Sequence, residues 1–170
     1  MAESKGFANR VEKWLSKIPG IRTYRVREER RETDKKLREH LADQLQEVRL
    51  HLKKCALEIS RKSALDPILS EVDRLSAKIQ QMADTIRYAS YGYAGIFDLE
   101  KIREEELNRL YEFDLSLLDR LAQIHGTVKG MDPQKSPEEW RPALREAFAF
   151  LENLELQFRK RHDFLVKKPS

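Results

Sequence analysis

The constraint that most limits this chain is a leucine-rich seam running through a long stretch with neither glycine nor proline. From Tyr24 to Lys62 no such residue interrupts the chain, and Leu37, Leu41, Leu45, Val48, Leu52, Cys55 and Ile59 recur in steps of four and three. That spacing puts all seven side chains on one stripe of a helix. Such a helix must bury its stripe, and with strand-like alternation missing from the rest of the chain, other helices are the available partners.

The remaining segments repeat the pattern. Asp66-Pro67 marks a helix start, because the carboxylate accepts orphan amide bonds and proline suits a first turn. Leu69, Val72, Leu75, Ile79, Met82 and Ile86 then form a stripe that must pair antiparallel with the preceding helix, since residues 63–66 allow only a reversal. Asp98 is the expected cap of a fourth segment running to about His125, with Leu107, Leu110, Tyr111, Leu117, Leu118, Leu121 and Ile124 inward. Ser136-Pro137-Glu138-Glu139 is a complete helix-start signal, followed by Trp140, Leu144, Phe148, Leu151, Leu154 and Phe158. The expected fold is all-α: an elongated antiparallel four-helix bundle over residues 21–166, an additional short N-terminal amphipathic helix and turn over residues 1–20, and a basic tail at 167–170.

Composition agrees with long solvated helices: 36% of residues are charged and 8% aromatic, against a typical charged fraction of about 25%. The net charge of +4 conceals an asymmetry. Residues 1–62 hold 17 basic and 10 acidic side chains, residues 63–126 hold 7 and 12, and the rest 9 and 7. In a bundle these segments lie side by side and partly neutralise one another. The first third of the long segment, Arg22 to Lys36, is almost purely charged, and it is expected to project beyond the core or pack loosely.

Chemistry-bearing patterns are missing. Ferritin-like metal sites need Glu-x-x-His pairs, but Leu37, Val48, Ala122 and Arg159 stand three residues before the four histidines. The one cysteine, Cys55, sits on the apolar seam and reads as a small core residue, not a zinc ligand or nucleophile. No phosphate-cradling glycine loop or nucleophile elbow occurs. These readings imply no enzyme, cofactor, metal or small-molecule substrate. The single cysteine and the lack of an apolar leader point to the cytoplasm, with contact at the inner face of the membrane as the peripheral option.

Three features offer contact surfaces. Phe7, Val11, Trp14, Leu15 and Ile18 share one helical stripe beside Lys13 and Lys17. Such a helix can either lie in an anionic membrane interface or cover the bundle end. Arg22, Arg25, Arg27, Arg30 and Arg31 form a basic patch able to neutralise phosphate, or to pair internally with Glu32, Asp34 and Glu39, which follow at helical pairing distance. The uncharged run from Tyr88 to Phe97 contains Tyr91 and Tyr93, which suit a docking surface; alternatively Tyr88, Ile96 and Phe97 close one end of the core.

The runs Glu29-Arg30-Arg31-Glu32-x-Asp34-Lys35, Tyr88-x-Ser90-Tyr91-Gly92-Tyr93-Ala94-Gly95 and Leu110-Tyr111-x-Phe113-Asp114 resemble an uncharacterised bacterial family of small helical-bundle proteins, a resemblance that implies no activity. The layout of a basic amphipathic helix leading into a long hairpin is similar to phage-shock protein A-like membrane-associated coiled-coil proteins over about the first half of the chain. The aromatic-glycine turn and the proline-capped last helix depart from that layout, against filament-like assembly. The resulting expectation is a non-enzymatic scaffold or adaptor with a protein partner or a second copy, with a membrane surface as a further contact; a nucleic-acid accessory role through the arginine patch is the alternative.

Overall fold

In the computed structural model, residues 2–64, 66–91 and 95–167 are described, with side chains from residue 6 onward. Among them are five α-helices and no strand: α1 (Ala2–Leu15), α2 (Arg27–Lys62), α3 (Ile68–Arg87), α4 (Glu104–Lys129) and α5 (Trp140–Val166). The seam of α2 is buried from Leu37 through Ile59, as its spacing requires, and Cys55 lies within it. Burial also pushes the Cys55 thiol above its ordinary range. At about 1.5 Å per residue, α2 alone is roughly 54 Å long, so the bundle is elongated.

The helix pairs α2/α3 and α4/α5 form antiparallel hairpins. The two hairpins then stack with α2 beside α4 and α3 beside α5. Cross-links between them fix the directions. Arg25 meets Glu104 at the start of α2 and α4, and Lys62 donates to the Pro133 carbonyl past their far ends. Glu71 pairs with Arg141 and Lys78 with Glu155 along α3 and α5. Neighbouring helices are therefore antiparallel within a hairpin and parallel across the stack. Helices α3 and α4 lie diagonally, and the 88–103 connection crosses one end of the bundle to join them.

Helix boundaries show where local signals hold. The Asp66 carboxylate accepts the Ile68 amide at 3.0 Å, capping α3. Ser136 and Glu139 form the expected capping box, but it opens a 3-10 turn at Pro137–Glu139, and α5 follows from Trp140. The expectation that Asp98 starts α4 is corrected: Ile96–Asp98 is a separate 3-10 turn, and Asp98 pairs with Arg31. The helix starts at Glu104, where three glutamates face the positive end of its dipole and Glu106 accepts the Arg103 amide. It continues to Lys129, four residues past His125, because Val128 still points into the core.

The charged opening of α2 is the largest correction. Far from packing loosely, Arg30, Thr33, Asp34 and Arg38 are buried, and so is Tyr24 just before the helix. Their polar groups are satisfied by one another and by carbonyls, so hydrophobicity is a poor guide to their burial. At the other end of the bundle, Trp140 is buried and donates its indole N–H to the Asp132 carbonyl at 3.0 Å.

Gly95 is the point where backbone conformation is decisive. Its φ is 138°, and a Cβ there would collide with the Leu165 carbonyl as the crossover passes α5. In contrast, a Cβ at Gly126, inside α4, meets nothing within 4 Å. Gly95→Ala is expected to cost about 2 kcal/mol or more through strain and overpacking. Gly126→Ala should gain about 0.5 to 1 kcal/mol from helix propensity. Urea unfolding of both variants checks the pair; equal effects would contradict the geometry.

Candidate functional site

Two constellations stand out: a closed polar cluster at the crossover end and an open apolar seam beside it. The cluster centres on Arg161 of α5, fully buried with its guanidinium 2.7 Å from Asp34 of α2 and 2.7 Å from Asp114 of α4. Both carboxylates are buried as well. Arg161 also donates to the hydroxyls of Tyr24 and Tyr91, each at 3.1 Å. Those hydroxyls donate onward, Tyr24 to Asp114 at 3.0 Å and Tyr91 to Asp34 at 3.1 Å. Arg38 closes the group by donating to Asp34 at 2.8 Å and to the terminal carbonyls of α3 at Ile86 and Arg87. Two arginines thus face two aspartates.

Burial alone would lower the Arg161 guanidinium, but Asp114 and Asp34 outweigh it and hold it well above its ordinary value. Burial pushes the Asp114 carboxyl up, with Arg161 and the Tyr24 hydroxyl pulling against that push. The cluster links five chain segments through charge-assisted bonds in a largely buried setting, so it orients them strongly.

The sequence-derived basic patch is divided by this arrangement. Arg30 is corrected from surface cation to buried donor, its guanidinium spent on the carbonyls of Tyr24, Arg25, Phe97 and Leu99. Arg25 pairs with Glu12 and Glu104, Arg22 with Glu29, and Arg31 with Asp98. Arg27 is exposed. Tyr91 is likewise corrected from docking surface to part of the cluster, stacked edge-on against Phe97. Tyr93 lies outside the described residues.

The N-terminal stripe packs along α4. Val11 and Leu15 are buried with Ala8, while Phe7 and Ile18 are half-buried. The Glu12 carboxylate anchors the helix by accepting from the Tyr111 hydroxyl at 2.7 Å, the Thr23 hydroxyl at 3.0 Å and Arg25 at 3.1 Å. The stripe is therefore not one free apolar face. Trp14 remains 44% exposed, and Lys13 and Lys17 project into solvent.

Beyond the end of α1, the seam between α2 and α4 is uncovered. A groove of about 560 Å³ opens there, walled by Trp14 and Ile18, by His40 and Gln44 of α2, and by Leu118, Leu121, Ala122 and His125 of α4. A second hollow of about 300 Å³ continues it past His125, between Leu50, His51 and Lys54 of α2 and Val128 and Lys129 of α4. Burial lowers His40 below its ordinary range, so it faces the groove as a neutral imidazole at neutral pH.

No family model matches the sequence, and neither a curated protein nor a solved structure matches it. Among the described residues no His, Cys, Asp and Glu side chains group as a metal site, and no helix is long and apolar enough to cross a membrane. Sequence reasoning placed Asp34 only among the acids available for internal pairing, and missed Arg38, Asp114 and Arg161. The signal available was their register: each occupies a core position of its helix, where a charge needs an opposite charge beside it.

The cluster makes stability fall in alkali. Burial pushes the Tyr91 phenol up to about 12 and the Tyr24 phenol well above its ordinary value. A raised acid holds its proton longer in the fold, so its contribution is complete below the unfolded value of about 10 and is lost as pH rises through the folded value. For Tyr91 alone this amounts to about 3 kcal/mol over that window. Tyrosinate absorbance should therefore rise in a late step that coincides with loss of helical circular dichroism. Smooth ionisation of these phenols in a folded chain near pH 10 would contradict it.

Proposed function

We propose that this protein is a non-enzymatic helical scaffold or adaptor working through protein contacts. The observation that carries the reading is the seam between α2 and α4 left open past α1, with Leu118, Leu121, Ile18 and Trp14 on its walls. An apolar groove on a charge-rich helical surface is an area that solvation alone does not favour. The buried cluster supports the same reading by holding the frame behind the groove, with Arg161 locked between Asp34 and Asp114.

Contact with a membrane surface is the second reading. It rests on the partial exposure of Trp14 beside Lys13 and Lys17 and on the phage-shock-like layout of the first half; such residues suit an anionic interface. The nucleic-acid alternative has less support, since Arg22, Arg25, Arg30 and Arg31 have intramolecular partners.

A photo-reactive amino acid placed at exposed Ala122, in the groove, distinguishes these readings. Irradiation in cells should yield discrete protein adducts from position 122 and none from Ala77, exposed on α3. Adducts with lipid or nucleic acid alone, or none at either position, would contradict the adaptor reading.

A further inference from the structure

The protein already folds one helix against α4, and the way it does so describes what belongs on the part left open. Helix α1 runs parallel to α4: Asn9 and Glu12 lie near its start through Arg25 and Tyr111, and Trp14 reaches Leu118 and Leu121. It buries Ala8, Val11 and Leu15 in steps of three and four and places one carboxylate, Glu12, among hydroxyls and an arginine. Where α1 stops, the walls of α2 and α4 continue. The uncovered stretch runs on α2 from His40 to Lys54, about 21 Å or four helical turns.

The charge of that stretch has a definite sign. Lys17, Lys54 and Lys129 line it, against the single carboxylate of Glu47. None of these lysines has an ion pair with a described carboxylate. Asp43, the other acid on this part of α2, is engaged by Arg87 at 2.6 Å. Leu50 is 56% exposed at the rim, and Leu57, two turns further on the same face, is 52% exposed. Apolar floor, exposed leucine rim and unpaired lysines together match a helix with an apolar stripe flanked by carboxylates.

We propose that the open seam between α2 and α4 is a docking groove for an acidic amphipathic helix of a partner protein, seated where α1 would run if it were longer. The inference rests on the adaptor reading and specifies its partner. The apolar stripe of the incoming helix covers Trp14, Ile18, Ala122 and Leu50 over a floor closed by Leu118 and Leu121, and its Asp and Glu side chains meet Lys17, Lys54 and Lys129.

A displayed pool of helices of about 16 residues, with leucines fixed on one stripe and every other position randomised, tests this on the full chain. Selected helices should be rich in Asp and Glu and should shift Trp14 emission to shorter wavelength. They should bind about tenfold more weakly to Lys54→Glu/Lys129→Glu and to Leu50→Ser, all exposed positions whose helical circular dichroism stays unchanged. Selection of neutral or basic helices, binding indifferent to these substitutions, or no selection at all would overturn the proposal. Displacement of the selected helices by phosphatidylglycerol-containing vesicles, with vesicle binding lost in the same variants, would also overturn it by giving the groove to lipid. Protein adducts from position 122 alongside a failed selection would leave the adaptor reading standing and remove only the acidic helix.

Discussion

A buried guanidinium governs this fold. Arg161 of α5 has no exposed surface, and four other segments converge on it: the linker before α2, α2 itself, the crossover and α4. A cation withdrawn from water is tolerable only when opposite charge and hydrogen bonds surround it, so each segment is held to the position that completes the shell. Leucine seams are permissive about register, because one apolar side chain replaces another at modest cost. The cluster is not. It selects a single arrangement of the two hairpins from the several that the seams allow.

That selection determines what remains on the surface. With α4 beside α2 and the crossover spanning the end, Tyr111 and Arg25 are placed to hold Glu12 and hence to lay α1 along the start of α4. The first helix reaches only as far as Leu118 and Leu121, and the seam beyond stays open. The groove is thus a consequence of a short helix on a long one. The most buried and the most open features of the molecule are linked through the same elements, the first supplying rigidity on which the second can be presented.

Much of the fold was legible in the sequence, for a simple reason: helix α2 and its partners carry regular apolar spacing, and Asp66, Ser136 and the proline-glycine clusters punctuate them. What escaped was the role of charge. Arg22 to Lys36 reads as a solvated run because hydropathy counts each ion as exposed, yet Arg30 and Asp34 are among the most buried side chains present. Asp114 stands in register with Leu107, Leu110, Leu117 and Leu121, and Arg161 with Leu154, Phe158 and Leu165. Charges of opposite sign on core positions of different helices are a long-range signal, invisible to any window of one helix. The groove escaped for a different reason, since it depends on where α1 stops relative to α4, a length relation that only the assembled bundle reveals.

The central claim is that Arg161 sets the register of the bundle, and the free energy of unfolding of Arg161→Met measures it most directly. Methionine roughly keeps the volume and removes the charge, leaving Asp114 buried without a counter-ion while Asp34 keeps only Arg38. A loss of about 3 to 5 kcal/mol is expected, the cost of an uncompensated buried carboxylate. Stability within about 0.5 kcal/mol of the native chain, the range of an ordinary surface substitution, would contradict the account.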